Sequence, residues 1–160
     1  PQRLTGIGFS AEGFDISSYY RRNPDSFNPR VAFMFKGIGK DELIGNFGYH
    51  GGGAAGNELD RADPDLGTPP HALIVATSEK HTDLYMVVNE EILINHPGMS
   101  GNDHPLVRAD MVFFETPNGG AVFSTGSIAY GASLPWNDYK NNIVKLTTNV
   151  LKRFADPKPL

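Results

Sequence analysis

The sequence predicts an α/β fold with a mixed sheet, a late β-hairpin and a C-terminal helix, and three observations carry that expectation. Short apolar runs stand isolated between stretches rich in glycine and proline. The pair Asn118-Gly119 separates two of those runs, and the last apolar residues recur at helical spacing.

Taken in order, residues 1–30 read as irregular, with short apolar bursts broken by Gly6, Gly8 and Gly13. Val31 to Phe35 is continuously apolar, as a strand covered on both faces would be. The stretch from Asp41 to Pro70 reads as loop, punctuated by Gly48, Gly51, Gly52, Gly53, Gly56 and Gly67. Ala72 to Ala76 and Leu84 to Val88 are predicted strands, the latter closed by Glu90-Glu91. Asp110 to Glu115 and Ala121 to Ser124 flank Pro117-Asn118-Gly119-Gly120, a hairpin signal because a type I′ turn needs positive φ at both central residues. Tyr139, Ile143, Leu146, Val150 and Phe154 then mark one face of an amphipathic helix. Asn137 or Asp138 would cap it, and Lys152 and Arg153 suit its C-terminal dipole.

The chain has 160 residues, enough for a single domain, or part of one, with a real core. With 39% hydrophobic and 20% charged residues it reads as globular. A net charge of −4 and only two adjacent basic pairs, Arg21-Arg22 and Lys152-Arg153, argue against nucleic acid. No apolar run approaches the roughly 20 residues that span a bilayer. The absence of Cys removes disulfides, thiolate metal sites and a cysteine nucleophile, and suits the cytoplasm.

Several patterns could carry chemistry. Gly51 to Gly56 satisfies G-x-G-x-x-G, but the polar Asn57-to-Pro64 stretch is a poor dinucleotide-binding helix, and a loop pressed against other backbone explains the glycines better. Asp60, Asp63 and Asp65 lack the ligand order of a calcium loop and read as a solvated acidic turn. His96 and His104 share one loop, where surface histidines are a better reading than a metal site. Ser10, Ser78 and Ser127 lack a nucleophile elbow. Glu115 differs. It ends a strand that is apolar on both sides, Met111 and Phe113 on one and Val112 and Phe114 on the other, so low dielectric should raise its pKa as a general acid or base requires. The plainer reading is a carboxylate that accepts backbone N–H bonds near Asn118 to Gly120.

Longer strings add a resemblance. Asp41 to Gly48, Gly51 to Arg61, Leu66 to Leu73, Val107 to Ser124 and the closing Asn141-to-Phe154 helix resemble the large (beta) subunit of N,N-dimethylformamidase, over about Leu4 to Phe154. The resemblance implies a hydrolase that cleaves the C–N bond of a small formamide to formate and an amine, with a catalytic domain similar to the glutamine-amidotransferase fold. It implies a mononuclear iron held by two tyrosines and a glutamate, polarising the carbonyl and activating water. The family's His-Pro-Glu-Tyr and Gly-Phe-Tyr-Trp segments do not occur here, so no metal ligand is assigned and the chain alone is expected to hold no cofactor. Glu115 would then correspond to an acid/base glutamate near the metal, with Gln2, Arg22 and Asn118 as further polar site positions. The implied partners are a small amide, the upstream part of the same subunit and a small subunit, in a homo-oligomer. Two rival readings are a non-catalytic assembly module and a standalone binding protein using the glycine-rich loop.

Overall fold

The computed structural model describes residues 1–88 and 98–160. A short helix α1 (Gln2–Thr5) leads into β1 (Gly8–Arg22), followed by β2 (Ala55–Arg61), β3 (Leu73–Glu79), β4 (Met86–Val87), β5 (Asp110–Glu115) and β6 (Ala121–Ser124). Helices α2 (Ala129–Ser133) and α3 (Asn142–Phe154) close the chain. The strand order is β2-β1-β3-β5-β6, with β4 also on β1. Every pairing among these strands is antiparallel, which corrects the expected mixed sheet.

β1 organises the sheet. Its first half pairs with β2 and β4, and its last four residues, Tyr19 to Arg22, pair with β3. This 15-residue strand replaces the irregular segment expected from its glycines. Those glycines mark close approaches, not breaks. A Cβ at Gly13 would lie 2.6 Å from the ring of Tyr85, and Gly8 is covered by the Gln2 side chain. β2 was hidden in the same way, because the glycine-rich stretch before it lies directly on β1. Ser17 N–H donates to Gly51 O at 2.8 Å, and a side chain at Gly53 would collide with the carbonyl oxygens of Ser17 and Ser18.

The run Val31 to Phe35 is not a strand. Asn28 caps a 3-10 turn at Pro29–Val31 by accepting from Arg30 N–H at 3.0 Å, and further turns carry the chain to Gly37. Its apolar residues still serve the core, with Val31, Met34 and Phe35 buried and Phe33 edge-on to Phe113. The predicted Leu84-to-Val88 strand shortens to Met86–Val87, and Glu90-Glu91 lies outside the described residues. The hairpin forms, with Glu115 opposite Ala121, but by a longer turn than expected. Gly119 N–H donates to Thr116 O at 3.1 Å, Thr116 N–H to Gly120 O at 2.7 Å, and only Gly119 in the loop has positive φ (81°). A type I turn ending in a left-handed glycine produces that pattern.

β5 sits between two apolar layers, as its alternation predicts. Met111 and Phe113 join the main core with Tyr20, Ile44, Leu59 and the buried face of α3, while Val112 and Phe114 join a smaller cluster with Ile7 and Ala62. α3 starts later than expected, since Asn137, Asp138 and Tyr139 all adopt left-handed backbone and Asn141 is the cap. Its buried residues are Ile143, Leu146 and Val150, whereas Tyr139 is exposed. Among the described residues no helix is long and apolar enough to cross a membrane.

Candidate functional site

Glu115 reaches the end of β5 beside the turn at Pro29–Val31. Arg30 Nε donates to Glu115 Oε1 at 2.9 Å, Arg30 Nη2 bonds Oε2, and Nη2 also donates to His71 O at 3.1 Å. His71 Nε2 in turn lies 3.0 Å from the Glu115 carbonyl oxygen, so His71, Arg30 and Glu115 form one surface knot. The Arg30 hydrogen bond holds the Glu115 carboxyl below the usual carboxylate range, outweighing partial burial. The expected rise is therefore corrected. An alternation argument places the carboxylate on a face but says nothing of a cation arriving from a turn 85 residues away in sequence.

The other sequence candidates are dispersed. Gln2 opens α1 and is buried against Gly8, at the opposite end of β1 from Arg22. Arg22 donates to Ser26 and to Ile38 O, and its guanidinium lies over Phe27 and Phe35 at 4.4 and 4.2 Å. Burial lowers its pKa. Asn118 lies exposed in the hairpin turn, near Arg153 and the C-terminal residues. No hydrogen bond joins any two of Gln2, Arg22, Asn118 and Glu115 among the described residues.

A different set of residues does converge. Leu59 points into the core, so its neighbours Glu58 and Asp60 share the outer face of β2, and Glu12 stands directly opposite Glu58 on β1. Like charges opposed across a ladder are destabilising. Glu58 and Asp60 line a groove of about 570 Å³ whose other walls include Phe9, Phe123, Gly126 and Ile128. Burial, and then the charge of Glu58, push the Asp60 carboxyl up to about 6. This half-buried acid in a cleft is the environment the sequence reading assigned to Glu115. The alternation Glu58-Leu59-Asp60 was the available signal, and it was masked by reading the segment as an acidic turn.

The groove is braced from behind. Asp110, fully buried, accepts from Ala62 N–H at 3.0 Å, from Thr77 Oγ1 at 2.7 Å and from Arg108 Nε at 3.2 Å, tying β2, β3 and β5 together. Gly126 packs where no side chain fits, its Cα facing the backbone of both Asp60 and Asp110. Ser127 Oγ donates to Gly56 O and accepts from Gly56 N–H, both at 2.8 Å, so its hydroxyl is committed to the backbone. Asp63 is paired with Arg61 at 2.6 Å and accepts from Asp65 N–H, which makes the acidic turn structural. Ser78 and His81 form a buried pair at 2.7 Å, with Ser78 Oγ also accepting from Ala109 N–H. His104 Nδ1 accepts from Leu106 N–H, and His96 lies outside the described residues.

Residues 1–142 match the family model described as N,N-dimethylformamidase beta subunit-like, C-terminal. The chain belongs to that family. It is 49% identical over 158 residues to the N,N-dimethylformamidase beta subunit of Alcaligenes sp. and 48% identical over 158 residues to that of Paracoccus aminophilus. Each alignment covers 99% of this chain and 21% of the relative, so the chain spans about a fifth of the length of the beta subunits it matches. Family membership accounts for the long strings noted in the sequence, and the acidic groove lies within the residues that the family model matches.

Proposed function

We propose that this chain is the C-terminal segment of an amide hydrolase subunit acting on N,N-dimethylformamide or a similar small amide, and that the Glu58–Asp60 groove supplies its proton-handling carboxylate. The observation that carries the reading is the 48–49% identity, over 99% of the chain, to two subunits named for that activity.

Hydrolysis of an amide requires a proton to leave the attacking water and a proton to reach the departing amine nitrogen. A carboxyl that titrates near 6 is present in both forms around neutral pH, which suits it to both transfers. Glu58 contributes by keeping negative charge beside Asp60, and Phe9 and Phe123 offer apolar walls that suit N-methyl groups. Glu115, ionised and held by Arg30, is the alternative carboxylate.

Among the described residues no three His, Cys, Asp or Glu side chains converge to hold a metal ion. The implied ligand set is two tyrosines and a glutamate, and among the described residues the tyrosine hydroxyl that bonds a glutamate, Tyr19 on Glu79, shares that carboxylate with Arg21, so the residues present do not fit that iron. In this proposal an iron belongs to parts of the subunit outside the chain, and no step is routed through it here. The remainder of the subunit and a small subunit are the proposed partners.

The test is Asp60→Asn and Glu58→Gln in the full-length subunit, with kcat, metal content and melting temperature measured together. Loss of kcat by about 10²–10⁴-fold in a folded, metal-complete Asp60→Asn enzyme is expected. Near-normal turnover there removes the groove from the chemistry. If Glu115→Gln is also active, the segment is an assembly module, the rival reading.

A further inference from the structure

β1 does not run evenly between Gly13 and Ser18. Gly13 pairs with Asn57 and Ser18 with Ala55, so five steps along β1 face two along β2 and the surplus residues bulge outward. The bulge is pinned at two points. Thr82 Oγ1 donates to Asp15 Oδ2 at 2.9 Å, and Ser17 N–H donates to Gly51 O at 2.8 Å. The glycine-rich stretch exists, in part, to make the second contact possible, since a Cβ at Gly51 would lie 2.7 Å from Ser17 N.

What this rigid bulge presents is apolar. Phe14 is 80% exposed and Ile16, two residues on, is 63% exposed. Leu84, 65% exposed, belongs to the turn whose carbonyl packs against Gly13. The clamped backbone has lost conformational freedom, yet the two large apolar side chains that it carries remain in water and gain no burial.

We propose that Phe14 and Ile16 form the contact on which the remainder of the same subunit packs. The inference rests on the reading that the chain is a segment of a longer subunit, of which the matched 158 residues are 21% in the relatives. Chain length and patch size together favour a tethered occupant, since about four fifths of each relative lies outside the matched region. Two such side chains offer roughly 300 Å², whereas a stable interface between separate molecules takes about 800 Å² from each. A covalently joined partner needs far less, because tethering supplies an effective concentration on the order of millimolar.

The experiment places a photoreactive benzoylphenylalanine at position 14 of the full-length subunit, irradiates the assembled enzyme and maps the adducts by mass spectrometry. A crosslink within one polypeptide, to a peptide outside these 160 residues, is the expected result. A crosslink to a second copy or to another subunit overturns the proposal, as do adducts confined to these 160 residues or a probe that reacts only with solvent. Because the readout is a mass and not turnover, an inactive enzyme with the expected crosslink counts against the proposed reaction and leaves the contact standing. As a second measurement, Phe14→Ser with Ile16→Ser should raise amide exchange of residues 13–18 in the full-length subunit by at least tenfold. Unchanged exchange also overturns the proposal.

Discussion

Arg30 meets Glu115 with two nitrogens of its guanidinium, Nε at 2.9 Å from Oε1 and Nη2 on Oε2, while Nη2 also reaches the carbonyl of His71. The contact fastens the turn after β1 to the hairpin end of β5, two places far apart in sequence. It also fixes the charge on Glu115, because a carboxylate that accepts a two-pronged guanidinium is stabilised in its ionised form. A residue so placed is well suited to tie elements together and poorly suited to deliver a proton.

Replacing Glu115 with Gln should therefore cost about 1 kcal/mol of stability, as the pair is partly solvated and the amide oxygen can still accept one bond. In the full-length subunit kcat should fall less than tenfold, short of the ~10²–10⁴ expected of a general acid or base. Denaturation and steady-state kinetics on the same preparation measure both. A larger fall in kcat with unchanged folding would return the catalytic role to Glu115.

Two neighbouring glycines should respond differently to the same change. A Cβ at Gly53 meets the carbonyl oxygens of Ser17 and Ser18, so Gly53→Ala must force β1 and the loop apart at a cost above about 3 kcal/mol. At Gly52 nothing lies within 4 Å, and only its φ of 79° opposes a side chain, so Gly52→Ala should cost about 1–2 kcal/mol. Urea denaturation of the two variants reads the difference directly.

The parts of the fold legible in the sequence were those marked by local signals, an apolar run, a turn pair or a helical spacing. β3, β5 and β6 follow from short apolar runs and from the Asn-Gly turn between the last two, and the buried stripe of α3 from spacings of three and four. β1 and β2 were not legible, because glycines that permit close packing between distant segments look the same as glycines that end strands. Val31 to Phe35 failed for the converse reason, since an apolar run states burial without stating backbone conformation. At the site, one-dimensional spacing found an acid at a strand end but could not see Arg30 arriving to neutralise it. It could not see either that Glu58 and Asp60 would share a face with Glu12.

α3 offers a quantitative check on packing. Leu146 is fully buried, so Leu146→Ala should cost about 2–5 kcal/mol. Asn141 accepts from Val144 N–H at 2.9 Å and donates to the carbonyls of Leu134 and Trp136, so Asn141→Ala should cost about 1–2 kcal/mol. Lys145 looked free from the helical stripe alone, but its Nζ donates to Gly37 O at 2.9 Å. Lys145→Ala should therefore cost about 0.5–1 kcal/mol, and a denaturation series should rank the three in that order.

The dependence of stability on pH separates half-buried Asp60 from buried His81, two groups that act in opposite directions. The folded-state pKa of Asp60 stands at about 6 against an ordinary 3.8, so the folded protein keeps a proton that the unfolded chain releases. Its contribution is favourable below that window and is lost as pH rises through it. Burial pushes His81 down to about 4 from 6.5, so the folded protein refuses a proton that the unfolded chain takes up. That contribution is present above 6.5 and is lost as pH falls. Between these limits the two slopes oppose each other, and the wild-type profile should be comparatively flat. Asp60→Asn removes one of them. The variant should gain about 1 kcal/mol at pH 7, after allowance for the partial exposure of Asp60, and should then lose stability steadily on acidification. In the full-length subunit the same variant should lose the limb of the kcat/KM profile near pH 6 along with most of its turnover, which is the usual exchange of stability for function at a strained acid. Parallel denaturation profiles for variant and wild type would show that Asp60 titrates normally and that the groove lacks the chemistry proposed for it.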